Sequence, residues 1–418
     1  MGGCFSISFT YNLIRNYNFI FMLNSKMSQF FMLLLTGVFS QFAVDVYAPS
    51  VPAIAADLKT SINSVQWTIS IYMFGVAGMQ FFYGAMSEVV GRKAPMVLGV
   101  TIMLIGSIVC INAIDIKTLI VGRLIQGVGI SACACLWRSM LRDSFSGDDL
   151  SKYASYATMI IMFIIPGAPL FGGFIQDAFG WQANFLVMII YSVLVIILLL
   201  FGIKETSSNH HISKISIKII VTNYLILLRS PLFMGTVFAV FFSFGAFCSW
   251  FVIGPVLLID HIGISPSEFG VISFICGVMG FGLGVYINGK YVKKHGMPTM
   301  LRFGWSTMIF AGILLFLGHF IFGLKLLPMV IPVALFFFGS SFIWPNTFAT
   351  AFSPFGHIAG YAGALYGTTQ VAGGAVLASI FAYLPDNDQL MFSIIITVST
   401  IIAWGLYEFL VFPNIKKD

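Results

Sequence analysis

The stretch KETSSNHHISKISIKIIVTNYLILLRSP, residues 204–231, is the longest polar interruption in a chain of 418 residues. It carries four cations, Lys204, Lys214, Lys218 and Arg229. On both sides the sequence is a succession of apolar runs, and about 20 residues at 1.5 Å rise cover the ~30 Å hydrocarbon core of a bilayer. Six runs precede it, near 28–49, 66–86, 95–114, 117–139, 153–175 and 183–203. Six follow, near 231–258, 268–289, 299–321, 327–350, 358–382 and 390–412. Runs this long and uniformly apolar are helices, not the alternating strands of a membrane barrel. The division predicts an all-α polytopic membrane protein with twelve transmembrane helices in two six-helix bundles. Its expected parts are a cytoplasmic segment 1–27, a bundle 28–203, a cytoplasmic linker 204–230, a bundle 231–412 and a tail 413–418. Part of the linker reads as an amphipathic helix lying on the membrane.

Composition agrees. Hydrophobic residues make up 59% of the chain and charged residues 9%, with a mean hydropathy of +0.97. A soluble globule carries about 25% charged residues, so lipid must be part of this chain's solvent. With both termini placed inside, seventeen Lys and Arg fall in inner loops and ends. Only three, Lys59, Lys117 and Lys325, fall outside. That positive-inside bias sets the orientation, and the formal charge of +6 reflects topology, with no nucleic-acid partner implied.

The six cysteines are Cys4, Cys110, Cys133, Cys135, Cys248 and Cys276. They lie mostly within spans, where packing is the plain reading, and they form no metal-ligand set. The N-terminal MGGCFS fits an N-myristoylation pattern, although an anchor adds little to a chain that already crosses the membrane repeatedly. Translation from Met22 or Met27 is the competing reading, and no cleavable signal peptide is evident.

Two charges stand inside the spans. In GVFSQFAVDVYAPSVPAI, residues 37–54, Asp45 lies about one turn below the outer end of span 1. Arg123 lies at similar depth in span 4. An ionisable residue in a span costs roughly 2.5–3.5 kcal/mol on insertion scales. Two opposite charges at one depth are most simply a facing pair. That pair is either a fixed structural bridge or a protonation switch. Desolvation favours the protonated acid and a nearby guanidinium favours the carboxylate, so a change in water access or in distance would load or unload a proton. The corresponding spans 7 and 10 carry no charge and are rich in aromatic residues. Tyr47, Phe247, Trp250, Phe251 and Trp344 are candidates for an apolar substrate pocket, with lipid-facing or packing roles as the alternative. Glu408 reads as structural, and His261, His319 and His357 are scattered. There is no P-loop, no soluble catalytic domain and no catalytic constellation. The chain is expected not to be an enzyme and to need no cofactor, drawing its energy from an ion gradient.

GAMSEVVGRKAPMVLG, residues 84–99, resembles the loop signature of the major facilitator superfamily, Gly-x-x-x-Asp-Arg-x-Gly-Arg-Arg/Lys. Gly84, Gly91, Arg92 and Lys93 match; Glu88 replaces the Asp and Val89 the first basic residue. DVYAPSVPAIAADL resembles the start of the Bcr/CflA drug-resistance branch, with Ala48 where Leu is usual. VGRLIQGVGISACACLWRSMLRDSF and IPGAPLFGGFIQDAFGWQANF are similar to that branch's span 4 and span 5 motifs. NGKYVKKHG and YAGALYGTTQVAGGAV also look like branch patterns, with Asn288 at the acidic position of the second-half loop. The resemblance implies proton-driven export of drug-like compounds by alternating access, from a bacterial inner membrane and as a monomer. It implies that Asp45 is the protonation site with Arg123 as its partner and Gln126 beside it. Glu88, Gly91 and Arg92 would form an inner-face latch, and Pro166, Pro169, Gly172 and Gly173 the bend of span 5. A proton symporter importing a metabolite is the alternative on the same fold, and a membrane receptor the remote one. The expected partners are small molecules, protons and lipid.

Overall fold

The computed structural model describes residues 26–206, 217–384 and 388–415. The MGGCFS stretch with Cys4, together with Arg15, Met22, Lys214, Lys416 and Lys417, lies outside the described residues, as do the side chains of Glu88, Lys218 and His357.

Twelve helices among the described residues are long and apolar enough to cross a membrane. The first half holds α1 (Lys26–Asp57), α2 (Ile62–Ser87), α3 (Lys93–Ile111), α4 (Ile116–Ser144), α5 (Met159–Phe179) and α6 (Trp181–Gly202). The second holds α7 (Pro231–Ile262), α8 (Pro266–His295), α9 (Met297–Phe322), α10 (Leu326–Gly356), α11 (Gly360–Tyr383) and α12 (Gln389–Ile415). The expected fold class is thus found, each span overlapping its predicted run. Between the halves lies a separate helix, Ile217–Arg229.

Helix starts are written in the sequence. Ser61 Oγ accepts from Ser64 N at 3.2 Å and Ser230 Oγ from Phe233 N at 3.2 Å. Asp115 and Asp388 accept from Thr118 N and Met391 N at 2.7 and 2.8 Å. Ser265 and Glu268 form a reciprocal capping box. Each satisfies amides that a helix leaves orphaned at its first turn.

Within the first half α4 is central and packs on α1, α2 and α3; in the second, α7 packs on α10, α11 and α12. The halves meet through two further pairs, α2 on α11 and α5 on α8. The swap of second and fifth helices between these pairs is what a two-fold duplicated architecture produces. Both sixth helices carry a π-helical turn toward their C-terminal ends, Leu198–Gly202 and Tyr407–Val411. Each is followed or occupied by a carboxylate that ties down the start of the third helix of its half. Glu205 accepts from Arg92 N and Lys93 N at 2.9 and 3.1 Å. Glu408 accepts from Arg302 Nε and Nη2 at 2.6 and 2.7 Å.

Small residues set the closest approaches. A Cβ on Gly172 would strike the Val46 carbonyl, and one on Gly173 the Pro266 carbonyl. Pro166 and Pro169 lie inside a continuous helix and face Gly277 and Gly270 of α8. The span 5 motif therefore builds tight α5 contacts with α1 and α8.

Candidate functional site

The α1 helix does not run straight through. Its first piece ends at Asp45, a short 3-10 turn spans Ala48–Ser50, and a second helical piece runs Val51–Asp57. Pro49 and Pro52 fall at the starts of the two later pieces, where a missing N–H costs nothing. The break delivers Asp45 to the boundary between the halves. Its side chain is buried, at 8% exposure. It lines a small, largely apolar cavity with Val44 and Ala48 of α1, Ile69 and Met73 of α2, and Cys248 and Phe251 of α7.

Arg123 is wholly buried within the first half. Its guanidinium lies over two tyrosine rings, 4.5 Å from the centroid of Tyr47 and 4.1 Å from that of Tyr72. Nη1 donates to Gln126 Oε1 at 3.0 Å, and Gln126 Nε2 donates to Ser107 Oγ at 2.8 Å. The Tyr47 and Thr68 hydroxyls share a hydrogen bond of 2.8 Å. Nε and Nη2 of Arg123 have no hydrogen-bond partner among the described residues, nor has the Tyr72 hydroxyl.

The expected facing pair is therefore not formed in this arrangement. Arg123 and Asp45 make no ion pair among those within 4.0 Å. Two aromatic faces and an amide carry the cation instead. Sequence spacing could not show a tyrosine of α2 standing against the guanidinium.

The aromatic candidates separate. Phe247 lies edge-on to Trp344 with centroids 4.9 Å apart, and to Phe251 at 5.6 Å. Phe337 and Phe281 complete this cluster, at 4.7 Å from Phe247 and 5.0 Å from Trp344. Phe251 carries it to the Asp45 cavity. Trp250 departs from expectation. Its ring stacks on Phe269, 5.6 Å away, its indole N–H donates to Ser273 Oγ at 3.1 Å, and it packs inside the second half. Tyr47 and Gln126 belong to the Arg123 network and do not border the cavity. Phe281 and Phe337 escaped sequence reasoning because one Phe among the 44 in the chain carries no positional signal.

At the loop signature, the helix of α2 continues to Val90 and is ended by Gly91 with a φ of +88°, a conformation glycine takes without strain. Arg92 Nε then pairs with Asp143 of α4 at 3.2 Å and Nη1 donates to Ser87 Oγ at 2.6 Å. Lys93 Nζ donates to the Leu200 carbonyl at 3.0 Å. Gly84 faces Cys135 of α4. Glu205, which no motif singled out, is the acid that caps this loop.

A membrane protein of twelve spans, built as two related halves around one buried carboxyl and one buried guanidinium, is the class that fold and site define. The chain belongs to the Major Facilitator Superfamily, whose sequence model matches residues 33–379. It is 30% identical over 398 residues to a bicyclomycin resistance protein homolog of Haemophilus influenzae, covering 94% of this chain and 100% of the relative. It is 28% identical to multidrug resistance protein D of Escherichia coli, covering 88% and 91%. The drug-resistance branch read from the motifs is the one these relatives represent. The fold resembles the xylose transporter XylE from E. coli in a partially occluded inward open conformation, with a TM-score of 0.71, 13% identity and coverage of 92% and 97%.

Proposed function

We propose that the protein is a proton-coupled secondary transporter that exports small amphipathic compounds by alternating access. It would work in a bacterial inner membrane with both termini on the cytoplasmic side, as the distribution of Lys and Arg supports. The names of its relatives support a role in drug efflux. The observation that carries the reading is Asp45, a buried carboxyl set at a helix break, on the boundary between the halves and without a cation within ion-pair distance.

A charge in that position is costly unless it is paired or neutralised. A proton does what no neighbouring cation does. With Asp45 protonated the boundary closes over a neutral group, and the occluded state can pass between its two openings. Facing the cytoplasm, water reaches the carboxyl, the proton leaves, and the charged form holds the cavity open for substrate. Facing outward, reprotonation reverses the preference and substrate is released. Both ligands then act on one conformational equilibrium, and each shifts it only by its differential affinity for the two states.

The test uses the purified protein in sealed vesicles with an imposed pH gradient and a compound identified by growth protection. Protons moving opposite to the compound support exchange; protons moving with it reject antiport in favour of symport.

A further inference from the structure

The helix Ile217–Arg229 lies between the halves and takes no part in the site at Asp45. Its 13 residues make about 20 Å at 1.5 Å rise, too short for the ~30 Å hydrocarbon core. Its faces differ. Leu227 is fully buried in a cluster with Phe233 and Val237 of α7, Ala351 of α10, and Ala362 and Tyr366 of α11. Tyr224, one turn earlier on that face, meets two rings edge-on, Phe81 of α2 at 5.6 Å and Tyr361 of α11 at 5.3 Å. The helix therefore rides on the second half and reaches the first through Tyr224. Extended backbone at Ser230 then turns the chain, and α7 begins at the next residue, Pro231. This fixes the C-terminal end of the helix where a transmembrane span enters the bilayer.

The opposite face is uncovered. Val221, Leu225 and Leu228 are exposed, and their i, i+4, i+7 spacing sets them in one apolar stripe. Beside that stripe, by helical register, runs a polar row at positions 218, 222 and 229, which hold Lys218, Thr222 and Arg229. Arg229 is exposed and makes no ion pair among the described residues. Water is a poor neighbour for the stripe, and the hydrocarbon core is a poor one for the basic row. The bilayer surface suits both. Acyl chains can cover the three apolar side chains while the cations stay at the level of the phosphates. Lys204, also exposed, adds positive charge at the other end of the connection between the halves.

We propose that the free face of this helix docks on anionic phospholipid of the leaflet that α7 enters, with Val221, Leu225 and Leu228 in the acyl region and Lys218 and Arg229 on the headgroups. The lipid holds one face while Tyr224 and Leu227 hold the other. The membrane thereby braces the inner ends of α2 and α11, where the halves join. The partner is the same whichever way substrate moves.

The test is fluorescence quenching on the full chain in nanodiscs of phosphatidylcholine and phosphatidylglycerol. Leu225→Cys, in a background free of other cysteines, carries an environment-sensitive dye. The doxyl quencher is placed on an acyl chain of one lipid or the other at equal mole fraction. The expected result is quenching by both lipids, at least twofold stronger from labelled phosphatidylglycerol. Combining Lys218→Gln with Arg229→Gln should bring that ratio to about one. A dye at Ile313→Cys, on the lipid-exposed side of α9, should show no preference with the basic residues intact. Val221→Cys repeats the measurement if the Leu225 variant fails to fold. Quenching by neither lipid overturns the proposal, and a dimer in the same nanodiscs would then assign the face to a second copy. Equal quenching by the two lipids in the chain with its basic residues intact overturns it too, as does a preference unmoved in the double Gln variant. None of these outcomes depends on proton exchange, so the exporter reading stands or falls separately.

Discussion

At the scale of single residues, Asp45 and Arg123 separate into different roles. Asp45 borders the cavity, and its replacement should remove coupling without removing structure. For Asp45→Asn, uphill exchange driven by a pH gradient should fall to the background of empty vesicles, with the melting temperature in detergent unchanged or raised. Full-rate exchange against a gradient in that variant would reject the carboxyl as the proton carrier. Arg123→Ala should cost stability for a reason the sequence does not reveal. Pairing by depth suggests that it would strand a carboxylate. The structure shows that it would instead empty the space between Tyr47 and Tyr72 and leave Gln126 Oε1 without its donor. A buried group left unsatisfied costs about 1–3 kcal/mol, so a lowered unfolding midpoint is expected even when Asp45 is already Asn. If the double variant were no less stable than Asp45→Asn alone, Arg123 would owe its place to the carboxyl after all.

Whole helices are the level at which the sequence was most readable. Apolar run length and flanking polar residues place every span, and Ser, Asp and the Ser265–Glu268 box mark where helices begin. The α1 break at Pro49 and Pro52 was not read from the sequence, and its consequence, a carboxyl at the half boundary, needed the packing of α2 and α7. Trp250 was misread because α7 is apolar on all sides, so hydropathy could not tell its cavity face from its core face. The acidic clamps at the ends of α6 and α12 were also hidden, since a lone Glu after a span looks like any loop residue. Glu205→Ala should uncap two amides at the start of α3, costing about 0.5–2 kcal/mol as lost caps do. Faster trypsin cleavage in the 204–231 linker would report it, and cleavage at the wild-type rate would remove Glu205 from that role. The Asp115 cap offers a pH test. The Thr118 amide holds its carboxyl below the usual carboxylate range. Its contribution is therefore complete above that ordinary range and is lost as pH falls through the lowered value. Asp115→Asn should flatten that acid limb of stability; an identical limb in wild type and variant would assign it to other carboxylates.

For the molecule as a whole, the side-chain hydrogen bonds between the halves gather at one end among the described residues. At the end away from the Arg92 loop, Asn63 Nδ2 donates to the Ala382 and Leu384 carbonyls at 3.2 and 2.5 Å. Beside it Trp67 meets Tyr383 edge-on at 4.9 Å. Ser267 N donates to Asp177 Oδ2 at 2.9 Å, joining α8 to α5. Gln66 Nε2 reaches the Val252 carbonyl at 3.4 Å, next in sequence to Phe251 of the Asp45 cavity. These are a few contacts between pre-formed helices, the neutral hydrogen bonds each of modest net worth, about 0.5–1.5 kcal/mol, and the one to the Asp177 carboxylate about 1.5–3 kcal/mol. A few of them can hold one end shut and still release it within a transport cycle. Alternating access requires that release, because the proton must reach Asp45 from that side. A disulfide across the same point should therefore stop the cycle. In Asn63→Cys combined with Leu384→Cys, made in a background free of other cysteines, oxidation should abolish exchange and reduction should restore it. Binding of ligand from the opposite side should survive oxidation, since the lock leaves that end free. Exchange at full rate with the bridge formed, verified by the mobility of the oxidised protein after cleavage in the linker, would mean that this end never opens and that the two halves do not rock about Asp45.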